Sequence, residues 1–161
     1  MPVLLARVDD RLIHGQVTLG WGSVLNPDAY VVIDDQLASS LEARALLESS
    51  ASPSEVYVTT RSGAEELIAD PSLARKKVVL IAKSPRDFLQ LFDTGMEFEE
   101  LNLGGMHWTE GKSRYLDYLY MDESEVEVLT ELAERGISVY AKDVPGGTRI
   151  ALNELLKRKG E

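Results

Sequence analysis

Short runs of apolar residues recur along the whole chain, at lengths that suit buried strands. They occupy positions 3–8, 30–33, 55–59, 77–82, 99–103 and 137–141. Segments between them, such as 39–49 and 62–69, carry apolar residues at helical spacing. Alternation of continuous apolar strands with helices of about ten residues is typical of a mainly parallel sheet that is covered on both faces. The pattern therefore predicts an α/β fold with an open, mostly parallel, doubly wound sheet and helices on both faces.

Two later helices carry residues that mark their ends. Ser84 and Pro85 supply an N-cap and a proline in the first turn, and Gly95 stands where a C-terminal glycine belongs. Asp122 begins the second of these helices with an acidic capping box. Between the two helices, the tyrosine-rich stretch 113–122 is interpreted as one more strand, whose orientation the sequence leaves open.

Composition narrows the class of protein. The chain has 161 residues, of which 44% are hydrophobic, and this suits a single domain over residues 1–161. Its net charge of -10 argues against nucleic acid or an anionic membrane surface as the main partner. The absence of cysteine excludes disulfides, thiolate nucleophiles and Cys-type metal sites. Because no apolar segment has the roughly 20 residues of a spanning helix and no signal peptide is evident, we expect a cytoplasmic protein.

The loop after the first strand has the densest cluster of reactive groups. Ligands of doubly wound sheets bind beyond the carboxyl ends of the strands, where Asp9, Asp10, Arg11 and His14 follow one another here. A neutral imidazole has a free ring nitrogen that can attack phosphorus. Arg11 and the backbone N–H groups from Gly15 onward would supply the positive charge that a phosphoryl group needs. A purely structural alternative is that His14 caps the helix and Arg11 pairs at the surface with Asp9 or Asp10.

The glycine-rich segment after the fifth strand is a second candidate. Gly104 and Gly105 are interpreted as a flexible turn that faces a phosphate or a partner, with a plain tight turn as the alternative. Their spacing to Gly111 and Lys112 does not fit a P-loop. We expect a surface or loop-packing role for His107, although two histidines and carboxylates that converged from both loops would form a metal site.

Several other enzyme classes lack their motifs. The segment 20–22 has two glycines but no third glycine to complete a dinucleotide-binding fingerprint, and no nucleophile elbow of a serine hydrolase is present. Asp9 and Asp10 leave paired-carboxylate hydrolysis open, although neighbours on a strand point apart. Asp34 and Asp35, after the second strand, are interpreted as helix-capping residues, with cation binding as the alternative.

Residues 5–17, which include Arg11 and His14, resemble the active-site signature of the mannose/fructose/sorbose-family enzyme IIB. This family belongs to the bacterial phosphoenolpyruvate-dependent sugar phosphotransferase system (PTS). The likeness continues through Trp21 and the segments 31–35, 103–106, 111–112 and 134–137, and so covers nearly the whole chain. The family's fold is an open, mostly parallel α/β sheet with this histidine in its first loop, in agreement with the pattern above.

The resemblance implies a phosphotransferase of the protein-N(pi)-phosphohistidine–sugar class. His14 would accept a phosphoryl group from a phosphohistidine on enzyme IIA and pass it to a sugar that the membrane components IIC and IID transport. Arg11 would steady the phosphate during the transfer. A wider set of residues is expected to bind the phosphate or the partner. These are Asp10, Gly15, Gln16, Gly104 and Gly105.

The resemblance also implies protein partners, with no cofactor and no metal. Enzyme IIA would be a separate polypeptide, and the chain would associate with the membrane peripherally, through the IIC/IID permease. One alternative is a regulatory phosphorelay IIB protein that has no cognate permease. A receiver domain is disfavoured, because Thr59 and Thr60 stand where it needs an aspartate. A binding module that uses Gly104 and Gly105 without covalent transfer is a third possibility.

Overall fold

A mostly parallel sheet organises the chain, which the computed structural model describes over residues 1–160, the Gln16 side chain excepted. The strands are β1 (Val3–Asp9), β2 (Ala29–Ile33), β3 (Glu55–Thr59), β4 (Val78–Ala82), β5 (Glu100–Gly105), β6 (Ser113–Leu116), β7 (Leu119–Met121), β8 (Ser138–Ala141) and β9 (Ile150–Ala151). Seven of these described strands form one sheet in the order β3-β2-β4-β1-β5-β8-β9, and β6 and β7 form a separate hairpin. All neighbours in the main sheet are parallel except β8 and β9.

Helices connect most of the strands. A π-helical segment (Gln16–Trp21) continues directly into α1 (Gly22–Leu25). The other helices are α2 (Asp35–Ala38), α3 (Leu41–Ala51), α4 (Ala64–Ile68), α5 (Pro85–Asp93), α6 (Glu123–Glu134) and α7 (Leu152–Leu156), with a 3-10 turn at Pro71–Leu73. Among residues 1–160, no helix has both the length and the apolar character needed to cross a membrane.

Both faces of the sheet are buried, as the continuous apolar strands predict. Successive residues of a strand point to opposite faces, so β1 contributes to two core layers. Ala6 and Val8 belong to the layer that contains Phe88 of α5. Leu5 belongs to the opposite layer, which contains Trp21 of the π-helical segment. The predicted fold class, a mostly parallel sheet between layers of helices, is confirmed.

Side chains cap the helices that the sequence predicts with the clearest boundaries. At the start of α5, the hydroxyl of Ser84 accepts a hydrogen bond from the backbone N–H of Arg86 at 3.3 Å. At the start of α6, Asp122 and Glu125 accept reciprocal bonds from each other's backbone N–H groups, at 2.8 and 3.1 Å. Gly95 follows α5 with a φ of 94°, a left-handed conformation that favours glycine.

The structure differs from the predicted elements in the segments that follow β5. The flexible turn predicted at Gly104 and Gly105 is wrong, because both residues are buried in β5 and Gly105 lies opposite Asp9 of β1. The stretch 113–122 forms two antiparallel strands instead of one, since a tight turn separates β6 from β7. The short elements β9 and α7 were not predicted, because a few residues carry too little periodicity to identify them.

The parallel register brings three strand ends to one edge of the sheet. Asp9 of β1 lies opposite Gly105 of β5, and Leu103 of β5 lies opposite Ala141 of β8. The loops that follow these three strands therefore meet at the carboxyl edge, where ligands of such sheets bind.

Candidate functional site

Asp9, at the carboxyl end of β1, is the centre of a hydrogen-bonded cluster. Its side chain is fully buried. Its Oδ1 accepts hydrogen bonds from the backbone N–H and the Nε–H of Arg11, both at 3.1 Å. Its Oδ2 accepts a bond from Arg7 Nη2 at 3.0 Å and lies 2.9 Å from His14 Nε2. One carboxylate therefore holds two arginines and a histidine at the end of a central strand.

Arg7 is a buried cation whose donors are all bonded. Its Nε and Nη2 donate to Asp9 Oδ2, at 3.3 and 3.0 Å. Its Nη1 donates to Asn102 Oδ1 at 2.7 Å and to the carbonyl of Lys142 at 3.2 Å. A second bond from Nη2 reaches the carbonyl of Asp143 at 2.9 Å. Because a guanidinium has five N–H groups, the full set is used, and Arg7 ties β1 to β5 and to the loop after β8.

Burial and the neighbouring charges shift the pKa values of Asp9 and Arg7, and for each residue the two effects oppose each other. Burial alone would raise the pKa of Asp9, but hydrogen bonds from Arg11 and His14 and the charge of Arg7 outweigh it, so this pKa lies below its ordinary value. Burial lowers the pKa of Arg7, and the neighbouring Asp9 opposes that shift. Asp9 is therefore ionised at neutral pH and can only accept hydrogen bonds.

His14 lies at the start of the π-helical segment, with its ring against Asp9. Its carbonyl accepts bonds from the backbone N–H groups of Val17 and Thr18, both at 3.0 Å, so the helix begins here. Since Asp9 only accepts, a neutral His14 ring has its proton on Nε2 and its lone pair on Nδ1. The His14 side chain is 20% exposed, so another molecule can reach the ring.

A strained turn returns the chain from Asp9 to His14. Leu12 has a φ of 58°, in the left-handed region that is unfavourable for a residue with a Cβ atom. Leu12 and its neighbour Ile13 are both buried, so packing holds this conformation. The turn brings Arg11 back over the Asp9 carboxylate. The ion pair suggested between Arg11 and an acidic neighbour is present, and the neighbour is Asp9. The Arg11 side chain is 35% exposed, whereas the Asp9 side chain is buried.

Gly104 and Gly105 make room for the arginine side chains. A Cβ atom on Gly104 would lie 2.0 Å from Arg7 Cζ, so the buried guanidinium would have to move. On Gly105 it would lie 3.1 Å from Arg11 Nη2 and 3.2 Å from Asp9 Oδ1. These contacts explain why the cluster packs against glycines. The expected contact of either residue with a phosphate or a partner remains a prediction.

Asp10 binds a different residue from those that Asp9 binds. Its Oδ2 accepts a bond from the backbone N–H of His107 at 2.7 Å, and its Oδ1 lies 2.6 Å from His107 Nδ1. His107 is 66% exposed, so its predicted role in the surface loop is confirmed. Because the adjacent carboxylates point to separate groups, they do not form the facing pair that hydrolysis requires. The expected contact of Asp10 with a phosphate remains a prediction.

Gly15 and Gln16 lie directly after His14. Gly15 is exposed, and a Cβ atom built on it has no neighbour within 4 Å. Its φ of -54° is an ordinary helical value, so the backbone conformation does not require glycine. The open space suits the predicted approach of a phosphate or a partner. The Gln16 side chain lies outside the described parts, and its predicted role is untested.

The acidic pair after β2 has a structural explanation. Asp34 Oδ2 accepts a bond from the backbone N–H of Leu37 at 3.0 Å and so caps α2. Its Oδ1 lies 3.4 Å from Lys83 Nζ. Asp35 Oδ1 accepts a bond from the backbone N–H of Arg61 at 2.8 Å, which ties α2 to the loop after β3. The capping interpretation of Asp34 is confirmed.

The sequence interpretation overlooked the supporting residues of the cluster. Neither Arg7 nor Asn102 was assigned a role in the site, and neither was the carbonyl of Asp143. Trp21 Nε1 donates to that carbonyl at 3.0 Å, and the Trp21 ring lies 5.6 Å from Arg7 Cζ. The available signal was the charge itself, since an arginine inside an apolar strand needs a buried partner.

Comparisons with known proteins agree with this geometry. The family model described as "PTS system sorbose subfamily IIB component" matches residues 3–161. The sorbose-specific EIIB component of Klebsiella pneumoniae is 31% identical over 140 residues, which is 86% of this chain and 85% of that protein. The mannose-specific EIIAB component of Escherichia coli (strain K12) is 29% identical over 159 residues, or 98% of this chain. The chain spans about half of that relative, 49% of its length.

A solved structure shows the same fold. The crystal structure of the IIBSor domain of the sorbose permease from Klebsiella pneumoniae matches with a TM-score of 0.91 and 28% sequence identity. The match covers 98% of this chain and 97% of that one. The edge that holds His14 therefore lies in a shared architecture.

We predict that Gly104→Ala lowers the free energy of unfolding by about 2 kcal/mol, because its Cβ overlaps the buried Arg7 guanidinium. Gly15→Ala is the matched control, since the same methyl group there meets open space at a helical φ, and it should change stability by less than about 1 kcal/mol. Urea unfolding of both variants checks this. Equal losses would show that the cluster does not need the space at Gly104.

Asp9 should make the stability of the protein depend on pH in the acid range. Because its pKa is lower in the folded chain than the ordinary value of 3.8, its stabilising effect is complete above that value and is lost as the pH falls through the folded pKa. Asp9→Asn should therefore destabilise the protein by about 3 kcal/mol at neutral pH, where it leaves Arg7 without its counter-charge.

The difference between the wild type and Asp9→Asn should narrow as the pH falls below the ordinary pKa of Asp9. Urea unfolding across a pH series measures it, with Asp117→Asn as a control, because the Asp117 side chain is 90% exposed. A difference that stays constant down to the lowest pH would contradict the assigned charge of Asp9.

Proposed function

The chain belongs to the sorbose subfamily of PTS IIB components, which are phosphotransferases, and on that premise we propose that His14 carries a phosphoryl group between two partners. The donor is a phosphohistidine on enzyme IIA, and the acceptor is a sugar that the IIC/IID permease transports. One observation carries the proposal: a buried carboxylate holds Nε2 of a partly exposed histidine, next to an arginine on the same carboxylate.

The hydrogen bond between His14 and Asp9 favours Nδ1 as the reacting nitrogen. With the proton of the neutral ring on Nε2, the Nδ1 lone pair attacks the phosphorus, and the bond from phosphorus to the donor's histidine breaks. Asp9 then stabilises the positive charge that develops on the His14 ring, much as a buried carboxylate supports a catalytic imidazole elsewhere. In the second step, the sugar hydroxyl attacks the phosphorus and loses its proton to solvent, and the bond from Nδ1 to phosphorus breaks so that its electron pair returns to Nδ1.

Arg11 is suited to stabilise the transferred group. The Asp9 carboxylate binds Arg11 at Nε and Nη2 and binds His14 at Nε2. The guanidinium is therefore held beside the ring before the phosphoryl group arrives. A phosphoryl group in transfer carries charge on its equatorial oxygens, and a guanidinium fork binds such oxygens well. The exposed Gly15, next to His14, lets a partner or its phosphoryl group come close.

The name of one relative and the geometry of transfer between two histidines support the proposed donor. The E. coli relative named as an EIIAB component matches this chain over about half of its length, which supports a IIA protein as donor. Transfer between two histidines requires both rings to approach nearly in line, which a partly exposed ring at a sheet edge allows. In this proposal the chain works on the cytoplasmic side and meets the membrane through its permease.

We predict that His14→Ala abolishes phosphorylation by phosphorylated enzyme IIA, whereas His107→Ala still accepts one phosphate. The chain has two histidines, so this pair separates them completely. Intact-mass measurement after incubation with the donor gives the number of phosphates, and the acid-labile, base-stable behaviour of the bond identifies phosphohistidine. Phosphate on His14→Ala, or none on a wild type that meets a competent donor, would refute the assignment.

Arg11→Ala should slow transfer from phosphorylated enzyme IIA at least about tenfold, because a charged donor to the developing phosphate is lost. Arg11→Lys should recover only part of the rate, since an ammonium keeps the charge but not the planar fork. Rapid-quench measurement of single-turnover rates checks both variants. A rate of Arg11→Ala equal to that of the wild type would remove Arg11 from the transfer step.

A further inference from the structure

Trp108 is a large aromatic side chain left in solvent beside the site. It lies in the loop between β5 and β6, and 62% of its surface is exposed. Tryptophan is highly buried on average, and its exposure is typical of residues that become covered when a partner binds. The Arg11 and His14 side chains of the site are also partly exposed.

The loop that carries Trp108 is fixed to the catalytic turn. Asp10 binds the preceding residue, His107, at both its backbone N–H and its Nδ1, at 2.7 and 2.6 Å. Asp10 directly follows Asp9, whose carboxylate holds His14. Two adjacent acids therefore hold the reactive histidine and the Trp108 loop in a fixed relation. The Asp10–His107 pair has no other function in the transfer chemistry described above.

We propose that Trp108 is a docking residue for the phosphoryl-donor protein, and that the Asp10–His107 pair positions it. The inference rests on the proposed function of His14 and adds the surface on which the donor protein docks. A stable protein interface covers about 800 Å² on each partner, so a protein whose phosphohistidine reaches His14 also covers the neighbouring loop. A sugar alone is too small to do so. Buried tryptophans at the centre of such interfaces contribute much of the affinity.

Charge at this edge also favours a donor that carries phosphate. The chain has a net charge of -10, yet the partly exposed Arg11 guanidinium lies at the catalytic turn. A guanidinium beside the reactive ring attracts the dianionic phosphoryl group of a phosphohistidine to this edge. The donor surface that fits is an apolar depression beside its phosphohistidine, which receives the Trp108 ring.

The test compares a protein donor with a small one. Trp108→Ala should raise the KM for phosphorylated enzyme IIA about tenfold and leave kcat within about twofold. Labelling of the same variant by phosphoramidate, a small donor that needs no docking surface, should fall far less than labelling at low concentrations of the protein donor. Leu41→Ala is the matched control, since Leu41 is an exposed apolar residue (81%) on helix α3, outside the loop that carries Trp108.

Variants of the supporting pair test the positioning role. Asp10→Ala removes both bonds to His107 and should raise the KM for enzyme IIA, whereas His107→Ala keeps the backbone bond and should raise it less. Trp108→Phe should restore most of the affinity that Trp108→Ala loses, because an aromatic ring returns to the surface.

Separate outcomes contradict the two proposals. An unchanged KM for Trp108→Ala, or an equal rise for Leu41→Ala, would overturn the docking role while His14 remained the phosphate carrier. A wild type that phosphoramidate labels at His14 but that no phosphorylated enzyme IIA labels would overturn both the docking role and the proposed transfer from enzyme IIA, and would leave only the reactivity of His14. If Trp108→Ala lowers labelling by both donors equally, Trp108 acts on the chemistry and not on docking. A wild type that neither donor labels refutes the function of His14 itself.

Discussion

The buried ion pair between Arg7 and Asp9 is the interaction on which the rest of the site depends. An isolated charge inside a sheet is strongly unfavourable, so each partner requires the other and requires further hydrogen bonds. Arg7 meets this requirement with Asp9, the Asn102 side chain and two backbone carbonyls after β8. Asp9 meets it with Arg11 and His14. The side chains that we propose act in the transfer are thus the hydrogen-bond partners of a buried carboxylate, and their positions follow from its position.

Backbone features around this pair maintain the geometry. Glycine at position 104 leaves the volume that the Arg7 guanidinium fills. Leu12 takes a left-handed conformation, and the strain is stored where the chain must turn back over Asp9. The helix after His14 starts in a π-helical form, a geometry often found at functional sites. Each of these features is locally unfavourable or uncommon. Gly104 accommodates Arg7, and the other two lie in the segment that carries Arg11 and His14 back to Asp9.

The sequence predicted the layers of the fold and identified His14 as the candidate phosphate carrier, but it did not predict the residues that hold His14 in place. Apolar runs and capping residues such as Ser84 and Asp122 identified strands and helices, because they act through neighbours in sequence. The bond from Arg7 to Asn102 joins residues 95 positions apart, and it depends on the order of strands in the sheet. Gly104 was interpreted as part of a turn for the same reason. A glycine in the sequence indicates a turn from its immediate neighbours, whereas here it leaves space for the Arg7 side chain of another strand.

Asp9 occupies Nε2 of His14, and we propose that it thereby directs the phosphoryl group to Nδ1. Nuclear magnetic resonance of the ¹⁵N-labelled protein, before and after phosphorylation, distinguishes the two ring nitrogens by their shifts and their coupling to phosphorus. We predict phosphorus bonded to Nδ1, with the proton still on Nε2 and hydrogen-bonded to Asp9. Phosphorus on Nε2 would mean that the bond to Asp9 breaks during transfer, and it would contradict the account.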